Sequence, residues 1–248
     1  MDADLMVLAG LRVWSTFTPN KNRRIIESPT EKVTQRSQTK TTCISYQVVH
    51  ILPMSVGRPI EFDPAQALDA ATRVFWSRGY EATSLDDLLV EMDISKSSFY
   101  QTFLSKSELF RRCLESYRDA SADHLRAVLD QAESGKAFLE TILGSVAECV
   151  NDPMGRAGCL LVNTASEFAQ RDPQIAALVT KAFERFEDLF YAAVCRAQAE
   201  GEIPKSADAR SLALFLMTNL GGLRGMARSG ASPEKIRAVV KVIMNSLK

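Results

Sequence analysis

The stretch SKSSFYQTF, Ser95 to Phe103, decides how the chain is read. Phe99 and Phe103 are four residues apart, so on a helix they share one face and pack inward. Lys96, Ser97, Ser98, Tyr100, Gln101 and Thr102 fill the remaining surface, and each carries hydrogen-bonding groups. Ser95 has the side chain of an N-cap. The pattern predicts a short helix whose aromatic side fixes it to a scaffold and whose polar side is free to meet another molecule.

The residues upstream supply the scaffold. Asp63-Pro64 is a helix start, with Asp as N-cap, Pro at the first helical position and Gln66 as the capping-box partner. Ala67, Leu68, Ala71, Val74 and Phe75 recur at helical spacing, and Gly79 ends the run because a left-handed terminal residue is cheapest as Gly. Thr83 and Ser84 open a second helix, with Asp86 and Asp87 favourable in its first turn and Leu85, Leu88, Leu89 and Met92 as its apolar face. After the turn MDIS comes the helix quoted above. Three short helices, the last two joined by a tight turn, have the layout of a helix-turn-helix, whose second helix can enter the major groove.

The segment RVFWSRGYEATSLDDLLVEMDISKSSFYQTFLSKSELF resembles the N-terminal domain of the TetR/AcrR family of bacterial transcriptional repressors. Phe75, Gly79-Tyr80, Thr83-Ser84, Asp87-Leu88, Ser95-Lys96, Phe99-Tyr100, Phe103, Lys106 and Leu109 match the family pattern in order and spacing. The resemblance implies phosphate contacts from Thr83 or Ser84, from Tyr100 and from Lys106. It implies major-groove contacts from Lys96, Ser97, Ser98 and Gln101, and a minor-groove or backbone contact from Arg58. Three positions depart from the pattern: Asp93 stands where Gly is usual, Leu89 where Ala is usual, and Thr102 where a larger polar ring is usual, which shortens or removes one expected phosphate contact.

Charge speaks against DNA. Residues 57–104 hold four basic side chains against eight acidic ones, whereas a DNA-binding domain is usually basic. This keeps open a helical interaction module of the same fold without DNA binding.

The rest of the chain also reads as helices, which makes the fold class all-α. One spans about residues 106–131 and another 135–150, followed by CLLVNTASEFAQ. A long helix starts at Asp172-Pro173 and carries Phe183, Phe186 and Phe190 in an apolar stripe. The last two are ADARSLALFLMTNLGGLRGMARSG and SPEKIRAVVKVIMNSL. By resemblance, this C-terminal part encloses a small-molecule effector site and makes a homodimer through its last two helices. Phe183, Phe186, Phe190, Cys159, Asn163 and Asn219 are the ligand candidates. Cys159 is either a reactive thiol that senses electrophiles or a buried small apolar residue. Gly221, Gly222 and Gly225 weaken their helix unless another helix comes close. With Leu216, Leu220, Leu223, Val239, Val240 and Ile243 they are expected to form the dimer face.

The domain expectation is therefore an extension over 1–56, a DNA-binding domain over 57–104 and an effector and dimerisation domain over 105–248. The extension is polar and Thr/Ser-rich. It reads as disordered, as a basic arm that adds DNA contacts, or as a mis-assigned start with synthesis beginning near Met54.

Composition excludes several alternatives. No apolar run is long enough to span a membrane, and Asp2 and Asp4 replace the basic start of a secretory signal. Five scattered cysteines and two histidines give neither a disulfide framework nor a metal site. No phosphate loop, zincin, nucleophile-elbow or dinucleotide motif is present, so no catalytic residue, metal or cofactor is expected. The expected setting is the cytoplasm, and the expected partner is a palindromic double-stranded DNA operator bound by a dimer, most simply for repression.

Overall fold

The computed structural model describes residues 62–168 and 171–248, which belong to one packed unit. Among them are ten helices: α1 Pro64–Arg78, α2 Leu85–Met92, α3 Lys96–Phe103, α4 Lys106–Gln131, α5 Gly135–Cys149, α6 Pro153–Arg156, α7 Leu160–Phe168, α8 Pro173–Ala199, α9 Ala209–Arg228 and α10 Pro233–Asn245. The described residues contain no strand and no helix long and apolar enough to cross a membrane.

Local chemistry sets the boundaries. Asp63 accepts a hydrogen bond from the Ala65 N–H, and Asp172 accepts from Gln174 and Ile175, so each Asp-Pro start is capped by its Asp as expected, whereas the expected Gln66 capping-box bond is not formed at α1. Ser84 and Asp87 form a reciprocal capping box at α2. Asp93 closes α2 in the left-handed region at φ 52°, in place of the usual Gly. The NDPMG break is itself a one-turn helix, α6, capped by Asp152.

Packing follows the apolar faces. α1 lies against α2 and α4, and α3 docks on α4. Phe99 and Phe103 are buried as expected. The long α4 packs on α8, α8 also packs on α5 and α9, and α10 lies against α5 and α9. At the start of α5 the Gly135 and Lys136 N–H groups donate to Glu200 and Glu202 beyond the end of α8. A Cβ on Gly135 would come within 2.3 Å of the Ala193 carbonyl oxygen, so only Gly permits this approach.

The last two helices correct one expectation. Leu216, Leu220, Leu223 and Ile243 are buried inside the chain's own core rather than presented to a second copy. The outward stripe of α9 is instead Ser211, Phe215, Thr218, Gly222 and Gly225, with Leu214 beside it. The sequence shows an apolar stripe but not which surface covers it. α9 carries apolar residues on both sides, and its Leu216, Leu220 and Leu223 are the ones turned inward.

A candidate nucleic-acid interface and a cavity behind it

α3 presents the surface that its sequence predicts. Ser95 caps it by accepting from the Ser98 N–H at 3.1 Å. Lys96, Ser97, Tyr100 and Gln101 are exposed, whereas Ser98 and Thr102 are half-buried. The Ser97 and Ser98 hydroxyls each lie 2.9 Å from the Ser95 hydroxyl, so the three serines form one small network at the helix start. Tyr100 keeps 46% of its surface exposed although its ring meets Phe99 edge-on. That exposure leaves the phenol free to donate to a phosphate.

Two of the expected phosphate contacts are placed differently. Thr83 is buried, and its hydroxyl donates to the Gly79 carbonyl at 2.6 Å, so it locks the α1–α2 turn and does not reach solvent. Of the Thr83/Ser84 pair only Ser84 is exposed, with its hydroxyl donating to Asp87. The Lys106 ammonium lies over the Tyr80 ring, 4.1 Å from its centroid, and burial lowers its pKa against the pull of Glu81 and Glu167. A phosphate contact from Lys106 requires the side chain to leave that ring. Arg58 and the alternatives for the extension lie outside the described residues.

Behind this headpiece is a cavity of about 70 Å³ lined from α1, α4, α5, α7, α8 and α9. Four of the expected ligand residues line it: Cys159, Phe183, Phe186 and Phe190. Asn163 and Asn219 do not. Their amides donate to the Ala157 and Phe215 carbonyls, so each is satisfied by its own neighbourhood and turned from the cavity. Sequence reasoning missed Trp76, Tyr117 and Arg224, which come to the wall from α1, α4 and α9. No local pattern announces them, because they converge only through tertiary packing. Tyr117 packs edge-on to Trp76 and donates to the Cys159 sulfur at 3.8 Å. Burial, and then the neighbouring Cys159, push the Tyr117 phenol well above its usual range.

The loop before α7 joins cavity and headpiece. Its Ala157 carbonyl accepts from Arg228, its Gly158 carbonyl accepts from the Trp76 indole, and Cys159 follows directly. At the far end of α7, the two Glu167 carboxylate oxygens accept from the Tyr80 and Glu81 N–H groups at 3.3 and 2.9 Å. Tyr80 also packs edge-on against Phe168. So α7 is tied at both ends to α1 or to the turn that follows it.

A capped recognition helix on a three-helix headpiece, backed by a helical domain with an internal cavity, defines a helix-turn-helix regulator of transcription. Residues 67–113 match the profile for bacterial regulatory proteins of the tetR family, and residues 135–243 match the tetracyclin repressor-like C-terminal domain. The chain belongs to the TetR family. It is 34% identical over 186 residues to the HTH-type transcriptional repressor ComR of Escherichia coli strain K12, covering 75% of this chain and 89% of that one. It is 28% identical to the HTH-type transcriptional repressor BdcR of the same strain, covering 77% of this chain and 92% of that one. Among solved structures, a cysteine mutant of the TetR family regulator CifR, complexed with 26-bp double-strand operator DNA, superposes with a TM-score of 0.68. It is 31% identical, covering 77% of this chain and 100% of that one.

Proposed function

We propose that this DNA-binding regulator acts as a homodimeric repressor in the cytoplasm, works by binding rather than catalysis, and releases a palindromic operator when a small molecule enters the cavity. The division of labour is DNA reading by residues 57–104 and effector binding with dimerisation by 105–248. The observation that carries the reading is the exposed face of α3. Lys96, Ser97, Tyr100 and Gln101 stand outward on a helix fixed from behind by two buried aromatics, the arrangement needed for a groove-reading helix. Ser84, Ser98 and Thr102 flank that face and act at its edges.

Dimerisation is supported by what α9 and α10 leave uncovered. Leu214, Phe215 and Val242 are 50%, 40% and 69% exposed. A Cβ on Gly222 or Gly225 would meet nothing within 4 Å, so packing inside the chain does not require glycine there. An approaching helix of a second copy does require it. A two-fold dimer then spaces two α3 helices for the two halves of a palindrome.

Release is supported by the loop 157–159. A ligand pressing on Cys159 displaces the Gly158 carbonyl that holds Trp76, and with it α1. The two states then differ in affinity for DNA, which is what coupling requires. A mobility-shift titration on the DNA upstream of the gene tests the reading across salt concentrations. Preference for that DNA over random sequence is expected. Its absence at every ionic strength overturns the reading in favour of an interaction module that lacks DNA binding.

A further inference from the structure

The cavity adjoins a smaller recess, and Ser121 and His124 add polar groups to the wall of the cavity itself. Trp76, Tyr117, Ser145 and Arg224 line both the cavity and that recess of about 40 Å³, whereas Leu125, Phe183, Phe186 and Phe190 line the cavity alone. The aromatic and aliphatic wall therefore lies away from the shared boundary where Arg224 stands.

Arg224 is handled unlike the other arginines nearby. Arg156 donates to the Val150 carbonyl and Arg228 to that of Ala157, and Arg237 pairs with Glu148 at 2.9 Å. Among the described residues no carboxylate lies within ion-pair distance of Arg224. The groups beside it are the Tyr117 phenol and the Cys159 and Cys149 thiols, with Cys159 as a side-chain hydrogen-bond partner. A half-buried guanidinium with no carboxylate beside it is poorly compensated, and its planar fork fits a carboxylate through paired hydrogen bonds.

We propose that the cavity takes a small organic monoanion, a carboxylic acid with an apolar body, whose carboxylate pairs with Arg224 while its body lies against Phe183 and Phe186. The inference rests on the effector-site reading given above. One arginine and the Tyr117 hydroxyl match a single negative charge. Besides Cys159, the other polar lining residues are Ser121, His124 and Ser145, and the rest of the wall is apolar. The aromatic and aliphatic part of the wall explains affinity for the body, and Arg224 explains selection of the head group. The Arg224 carbonyl also lies 3.5 Å from where a Cβ on Gly158 would sit, so a shift of this part of α9 bears directly on the loop that holds Trp76.

The test uses the full chain and two matched pairs of probes: phenylacetate with phenylacetamide, and octanoate with octanamide. Calorimetric titration should show each acid binding about tenfold or more tightly than its amide, the gain expected of a charge-assisted pair. In Arg224→Gln, shown folded by its thermal melt, that preference should vanish, and in Arg224→Lys part of it should return. The wild-type comparison stands even where a variant fails to fold. Equal binding of acid and amide, no acid binding at millimolar concentration, or a preference that survives in folded Arg224→Gln overturns the proposal. A mobility shift of the same Arg224→Gln protein on operator DNA reports the regulator reading separately, because Arg224 is remote in sequence from the DNA-reading helix and none of its neighbours lies on it.

Discussion

The indole Nε1 of Trp76 donates to the Gly158 carbonyl at 3.1 Å, a bond that closes 82 residues of chain and joins α1 to the loop before α7. Replacing Trp76 by Phe keeps an aromatic in the core but leaves that buried carbonyl without its donor. The expected loss is about 1–3 kcal/mol of unfolding free energy, read as a lowered urea midpoint. An unchanged midpoint would show that the bond is not holding the two parts together.

The exposed side of α3 separates two kinds of DNA contact. Lys96→Ala should weaken binding to operator and random DNA alike and reduce the salt slope by about one unit. Gln101→Ala should cost about 1–3 kcal/mol on the operator and little on random sequence. Fluorescence anisotropy at several salt concentrations distinguishes them. If Gln101→Ala weakens both DNAs equally, Gln101 does not read bases.

Two glycines should respond in opposite ways to the same added methyl. Gly135→Ala drives a Cβ into the backbone of α8 and is expected to destabilise the fold by about 2 kcal/mol or more. Gly222→Ala meets open space within the chain, and its better helix propensity should raise protomer stability by up to about 1 kcal/mol. The same change should weaken the dimer, seen as a higher dissociation constant in sedimentation. A Gly222→Ala protein that dimerises as well as wild type would remove α9 from the interface.

Leu104 ends α3 with φ 63° and ψ −49°, a conformation that L residues rarely adopt, and it is 65% exposed. Leu104→Gly loses little packing and relieves the backbone. A gain of about 1 kcal/mol is expected in thermal or urea unfolding.

Acid sensitivity has an identifiable source on α4. Hydrogen bonds from Arg111, then from Arg112, hold the Glu108 carboxyl down from 4.5 to about 2. A carboxylate whose folded pKa is depressed contributes stability above its unfolded value and loses it as pH falls toward the folded one. The window is therefore roughly pH 4.5 down to 2. Glu108→Gln should be less stable at neutral pH, by under about 1 kcal/mol for a partly solvated pair, and should lose less than wild type on acidification. Parallel denaturation curves at pH 7 and pH 3 for both proteins test the sign.

What could be read from the chain was what short-range chemistry decides. The Asp63, Ser95 and Asp172 caps, the left-handed Asp93 and the inward Phe99 and Phe103 are each set by a few neighbouring residues. The errors share another cause. Thr83 and Asn163 look like free polar groups until the fold shows the backbone carbonyls they reach. Leu216 and Leu220 look like an interface because periodicity marks an apolar stripe without naming its cover. Trp76, Tyr117 and Arg224 are separated by more than forty residues at each step, so only the packing of α1, α4 and α9 brings them together.

The uncovered stripe of Phe215, Thr218, Gly222 and Gly225 bears on how the protein's abundance is felt. If protomers pair through that stripe before they bind DNA, the operator-competent species grows as the square of total protein while protomers predominate. Halving synthesis then lowers occupancy by more than half, and a gene under this control switches over a narrower range of regulator copy number than a monomer could impose.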